Sequence, residues 1–249
     1  MNELHNMIKE HAETEHFSGT VLVKRDDESF LELAFGSADR SEGRENTLDT
    51  RFGIASGCKL FTAVAICQLI EKGEVSFHTP IKEFFESTFP HFDESVTIHH
   101  LLTHTSGIPD YFDEEVMDDF EDLWKQTPMY LMRRGEDFLP LFQNGHKKFP
   151  PGERFHYNNA GYIILGLMIE KLSGMTVQKY INKHIFEPAN MNASGYFRLD
   201  RLPENTAYGY IDEPGRSWRT NMYSIPIQGG ADGGHMSRVL ICFRSGKLF

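Results

Sequence analysis

The sequence predicts an α/β fold: an antiparallel sheet flanked by helices, joined to a mainly helical region. Three observations predict it. First, the β-branched stretch Gly19 to Lys24 and the apolar stretch Ser29 to Gly36 flank a polar turn, Arg25 to Glu28, which is the pattern of a β-hairpin. Second, apolar residues recur at helical spacing through several segments between Ser56 and Met191. Third, the 249 residues suffice for one large domain or two interleaved ones with a sizeable core. Residues 1–55 and 192–249 are assigned to the sheet region, and 56–191 to the helical region.

Taken in order, Leu4, Met7, Ile8 and His11 share one face of an N-terminal helix. The hairpin follows, then a polar loop from Ser37 to Thr50. From Ser56 a helix can turn Phe61, Val64, Ala65, Leu69 and Ile70 to a core, with Gly73 as its stop. Thr97 to Thr105 reads as a short helix ended by Ser106-Gly107-Ile108-Pro109. A third helix spans about Ala160 to Leu172 and stops at Gly174; a fourth runs from near Thr176 to before Pro188. The remainder to Gly234 is turn-rich, and Val239 to Phe243 is an apolar run of either helix or strand. No further strand stands out, and two strands alone are marginal in water.

The formal net charge of −11 argues against a nucleic-acid surface, which needs clustered Lys and Arg. The acidic run from Asp110 to Asp122 reads as a solvated face or loop. No run approaches the roughly 18 apolar residues of a membrane helix, and Met1 to Glu10 lacks the apolar core of a signal peptide. Three cysteines (Cys58, Cys67 and Cys242) fit free thiols in a reducing compartment, so a cytoplasmic location is expected.

Two short motifs can carry chemistry. In Ser56-Gly57-Cys58-Lys59, at a helix start, Ser and Lys stand one turn apart on one face. A serine hydroxyl becomes a nucleophile when a base takes its proton. A lysine is such a base when burial or nearby positive charge lowers its pKa. The plain structural alternative is an N-cap serine followed by a solvated lysine. In Tyr157-Asn158-Asn159, the phenol can relay a proton and an Asn amide can hold a carbonyl; the alternative is an aromatic and a cap before a helix. Cys58 reads as a small buried packing residue. His100 and His104 stand at i, i+4, a spacing that suits zinc, but no third ligand of familiar spacing joins them, so they read as part of a loop-shaping segment under the active site, with zinc as the alternative.

Together the motifs resemble the serine β-lactamase-related family, which includes class C β-lactamases, penicillin-binding D,D-peptidases and related esterases. The stretch Thr50 to Ala63 is similar to its first motif, Thr97 to Pro109 to an internal signature, and Phe149 to Tyr162 to its Y-x-N motif with the usual lead-in. Ile185-Phe186-Glu187-Pro188 with Met191, and Phe17 to Val23, also fit. The resemblance implies a β-lactamase/D,D-peptidase-like fold and acylation of Ser56. Lys59 and Tyr157 would handle its proton, and Asn159 would hold the substrate amide. The Ser56 N–H and one from a later strand would form the oxyanion hole. It implies a small-molecule or peptide substrate and no metal or organic cofactor.

One part of the family pattern is not found. The third motif, K-[ST]-G or H-x-G, does not follow Tyr157; His235-Met236-Ser237 departs from the pattern, and Arg244 to Phe249 resembles the end of a helix that precedes the motif's strand in relatives. The sheet is therefore expected to lack its last strands, with self-association through an open edge and slowed acylation as consequences. A family remnant that binds or is slowly acylated without turnover is the alternative to an active hydrolase.

Overall fold

The computed structural model describes residues 2–25, 28–215, 217–234 and 236–238. His235, the run Val239 to Phe243 with Cys242, and Arg244 to Phe249 lie outside the described residues.

Helix α1 spans Asn2–Thr14. Its inner face is shifted from the expected one: Leu4 and Ile8 are half-buried and Ala12 is buried, whereas Met7 and His11 face water. Strands β1 (Gly19–Arg25) and β2 (Glu28–Phe35) form the expected antiparallel hairpin, with Gly19 opposite Phe35 and a bulge between Val23 and Lys24.

Further strands exist that the sequence did not announce. Short β3 (Ser37–Asp39) pairs with β4 (Arg44–Glu45), and β5 (Phe52–Gly53) leads toward Ser56. Later, β6 (Tyr210–Glu213) pairs with β7 (Ser217–Thr220), and β8 (Met236–Ser237) pairs back onto β5. These strands have two to four residues, too short for an alternating pattern to stand out. Among the described residues every sheet has two strands.

The helical part is α2 (Lys59–Glu71), α3 (Lys82–Phe85), α4 (Ile98–Leu102), α5 (Asn159–Ser173) and α6 (Val177–Ile181), with a π-helical turn at Asn182–Phe186. Local chemistry sets their ends. Thr97 caps α4 in a capping box with His100, Asn158 caps α5 through Gly161 N–H, and Thr176 caps α6. Gly174 closes α5 in the left-handed conformation, as expected of a stop glycine.

Helix α5 is the centre of the core. Every residue from Asn159 to Ile169 is buried, as befits a helix apolar on all sides. It packs on α2, α4 and α6. Gly166 faces the 229–234 loop so closely that a Cβ there would lie 2.5 Å from Ala231 Cβ. The glycine thus lets the loop lie against α5. No single helix among the described residues is long and apolar enough to cross a membrane.

Candidate active site

Ser56 lies in a 3₁₀ turn, Ala55–Cys58, just ahead of α2, and Lys59 is the first residue of that helix. Ala55 adopts a positive φ of 44°, a conformation an L-alanine rarely takes and one that clusters at functional sites. The three-residue step brings the two side chains together: Lys59 Nζ lies 3.0 Å from Ser56 Oγ. Ser56 is exposed, whereas Lys59 is only 6% exposed.

The other two donors of the Lys59 ammonium are also placed. One meets Asn159 Oδ1 at 2.9 Å and one meets the Asp232 carbonyl at 2.7 Å. A buried ammonium with all three N–H groups bonded holds a single orientation. The rings of Tyr157 and Tyr162 frame it, with centroids 5.0 and 5.6 Å from Nζ. So Ser56, Lys59, Tyr157 and Asn159, singled out from the sequence, meet at one point.

The loop that supplies the Asp232 carbonyl is docked by α2 side chains in succession. The Cys58 thiol points at the Gly230 carbonyl (3.6 Å), and Thr62 Oγ1 donates to the Ala231 carbonyl (2.6 Å). Cys58 is fully buried and faces away from Ser56's solvent side, in its packing role.

Asn159 is held from the other direction. Its Nδ2 donates to Asp110 Oδ2 (3.3 Å) and the Phe112 carbonyl (3.4 Å). Asp110 also accepts the backbone N–H groups of Asn159 (2.7 Å) and Ala160 (2.9 Å) at the start of α5. The solvated reading of the acidic run is therefore corrected at its first residue. Asp110 is turned inward, where α5 offers it N–H donors that water would otherwise fill. Burial pushes its carboxyl up to about 6, against those N–H groups, which pull it down. Glu114, Glu115, Asp118 and Asp119 are exposed, as expected.

Asp232 and Tyr111 went unnoticed in the sequence. The Tyr111 hydroxyl donates to Asp232 Oδ2, and both are buried. Burial raises the Asp232 carboxyl, opposed by the Lys59 charge and the Tyr111 hydroxyl. Burial, followed by the Asp232 charge, raises the Tyr111 phenol well above its ordinary value. The one sequence signal for this corner was the glycine-flanked setting of Asp232, Gly229-Gly230-Ala231-Asp232-Gly233-Gly234.

The two histidines weighed as a zinc pair do not form one. Helix α4 ends at Leu102, and His104 has a φ of 56°, so the helical geometry behind the i, i+4 reading is gone. His100 Nδ1 accepts from Thr97 N–H, and His104 Nδ1 accepts from Asn158 N–H at 3.1 Å. His104 stacks on Tyr157, centroids 4.6 Å apart, and so supports the phenol ring. Burial, then the Lys59 charge, lowers its pKa to about 4.

A different trio has ligand atoms near one another: Asp113, Glu115 and His156. His156 Nε2 lies 3.0 Å from Glu115 and 3.4 Å from Asp113, and the Lys148 ammonium bonds Asp113 and lies 3.3 Å from His156. Lys148 supplies the positive charge a cation would bring, so the cluster ties the 110–116 loop to the residue before Tyr157.

Beside Ser56 opens a cleft of about 350 Å³, bordered also by Tyr111, Asn159, Asp232 and Met236. The Met236 N–H, on the strand next to Ser56, donates to the Gly195 carbonyl at 3.0 Å.

Comparison with known proteins assigns a family. The Beta-lactamase family matches residues 4–237. The chain belongs to that family. Penicillin-binding protein 4* of Bacillus subtilis is 33% identical over 213 residues, 84% of this chain and 45% of that protein. The crystal structure of a penicillin-binding protein from Bacillus halodurans is 55% identical, with a TM-score of 0.89 over 95% of this chain and 71% of that one. An octameric penicillin-binding protein homologue from Pyrococcus abyssi is 31% identical, with a TM-score of 0.84 over 99% of this chain and 55% of that one. The chain thus spans about half the length of the curated relatives it matches. The β-lactamase/D,D-peptidase-like fold expected from the motifs is the fold observed, and the relatives are of the serine-hydrolase type.

Proposed function

We propose that this chain is an acyl-transferring serine hydrolase acting on amide or ester bonds. The 3.0 Å contact between exposed Ser56 Oγ and buried Lys59 Nζ carries this reading. Ser56 Oγ attacks the carbonyl carbon as its proton passes to Lys59 Nζ, and the leaving group departs as the acyl–Ser56 bond forms. Tyr157, framed by Lys59 and His104, is assigned the relay of that proton to the leaving group. A water then attacks the acyl-serine, releasing the acid and returning the proton to Ser56.

Asn159 is assigned to positioning Lys59 through Oδ1, since its Nδ2 is held by Asp110 and Phe112. The Ser56 N–H serves as one oxyanion donor; losing one such donor typically costs about 10²–10³ in rate. The substrate is a small molecule or peptide. The exposed free thiol of Cys67 supports a reducing, cytoplasmic setting.

A second reading is acylation without turnover. It is motivated by the sequence after Tyr157, in which neither K-[ST]-G nor H-x-G occurs.

Intact-protein mass after incubation with a fluorophosphonate and, separately, with a penicillin tests both readings. A single adduct in wild type, absent in Ser56→Ala, is expected. No adduct with either reagent overturns the acyl-serine reading. A stable adduct with no steady-state hydrolysis favours the second.

A further inference from the structure

The cleft beside Ser56 is walled by rings. Tyr111, Phe112, Phe120 and Phe138 line one part of it, and Phe197 and Leu199 contribute as well. The rings brace each other edge to face or tilted: Phe112 on Phe120 with centroids 5.0 Å apart, and Tyr111 on Phe138 at 5.2 Å. Phe138 and Tyr111 are buried in the core behind, so that part of the wall is fixed, while Phe112 and Phe197, which also line the cleft, are half-buried. The volume, about 350 Å³, falls in the range of ligand pockets and far exceeds what a methyl group fills.

We propose that the acyl group transferred to Ser56 carries a bulky aromatic side chain, received between Phe112 and Phe197. This rests on the acyl-serine reading above. Apolar walls next to a nucleophile are favourably covered by apolar surface of the substrate. Rings already arranged edge to face present further ring faces and edges to an incoming ring. A small acyl group such as acetyl leaves those walls in water and gains nothing from them. The carbonyl belongs at the Ser56 border of the same cleft.

The test compares p-nitrophenyl phenylacetate with p-nitrophenyl acetate. In each, the acyl–oxygen bond of the ester breaks, the Ser56 Oγ–carbonyl bond forms, the Ser56 proton goes to Lys59 and p-nitrophenolate leaves. After correction for the alkaline hydrolysis rates of the two esters, kcat/KM should favour phenylacetate by at least about tenfold, the least that a well-fitted apolar pocket provides per added group. Phe112→Ala and Phe197→Ala should each bring that ratio toward one. A ratio near one in wild type overturns the proposal even if the fluorophosphonate labels Ser56.

A binding experiment keeps the proposal decidable without catalysis. In Ser56→Ala, phenylacetamide and acetamide are titrated by ligand-observed NMR. Tighter binding of phenylacetamide by about tenfold or more, lost on adding Phe112→Ala, supports the aromatic pocket. Equal binding overturns it. Absence of fluorophosphonate labelling in wild type instead strikes the acyl-serine reading, so the two failures are distinguishable.

Discussion

The helical region and the strand pairs are built on opposite principles. Around α5, side chains are buried on every face for eleven consecutive residues, Asn159 to Ile169, and α2, α4, α6 and the 3₁₀ helix Gly135–Leu141 pack on it. The hairpin β1–β2 has the longest strands among the described residues but stands as two strands, most of its described residues half-buried. Lys59, the proposed base, belongs to the first kind of environment. Lys59 is oriented by Asn159, which opens α5, and by a loop that Gly166 of α5 lets come close. Among the described residues, the strand pairs reach the site where β8 pairs with β5 ahead of Ser56. A lysine with three fixed acceptors needs rigid neighbours, and close packing supplies them.

The sharpest way to break this comparison is at Lys59. Lys59→Met should slow fluorophosphonate labelling of Ser56 by about 10²–10⁴-fold, the usual contribution of a general base. Labelling at the wild-type rate would mean that the packed region positions something other than the base.

Stability should divide the same way. Ile164→Ala, in the fully buried middle of α5, should cost about 2–5 kcal/mol and lower Tm by about 5–15 °C. Val21→Ala, half-buried in the hairpin opposite Leu33, should cost below about 1 kcal/mol. Equal losses in thermal melts would remove the distinction.

Acid titration sharpens it further, because two groups beside the site oppose each other. His104 binds its proton less tightly folded (about 4) than its ordinary 6.5, so it makes stability fall as pH drops from about 6.5 to 4. Asp110 binds its proton more tightly folded (about 6) than its ordinary 3.8, so it makes stability fall as pH rises from about 4 to 6. Asp110→Asn should therefore steepen the loss of stability on acidification, and His104→Gln should flatten or reverse it. Denaturant melts across pH 4–7 measure both slopes; identical slopes in the two variants would refute the assignment.

The smallest expected effect concerns the hairpin. An edge without a third strand among the described residues invites pairing with another copy. We expect sedimentation mass to rise with concentration and Thr20→Lys to reduce that rise. A concentration-independent monomer would show the edge to be covered.

Much of this molecule is written in short range. The caps Thr97 and Thr176, the stop at Gly174, the β1–β2 register and the Ser56–Lys59 step each depend on residues within a few positions, where chain geometry alone sets the contact. Those features were readable from residue order. The two carbonyl partners of Lys59 were not: Asn159 and Asp232 lie 100 and 173 positions away. Asp110 read as one more solvated acid until α5 turned its N–H groups toward it, and the partner that His104 holds, the Asn158 N–H, lies 54 positions away. Neither result is encoded in local spacing. Each follows from which surfaces meet when α2, α5 and the 229–234 loop pack, and that is decided by burial summed over the whole core.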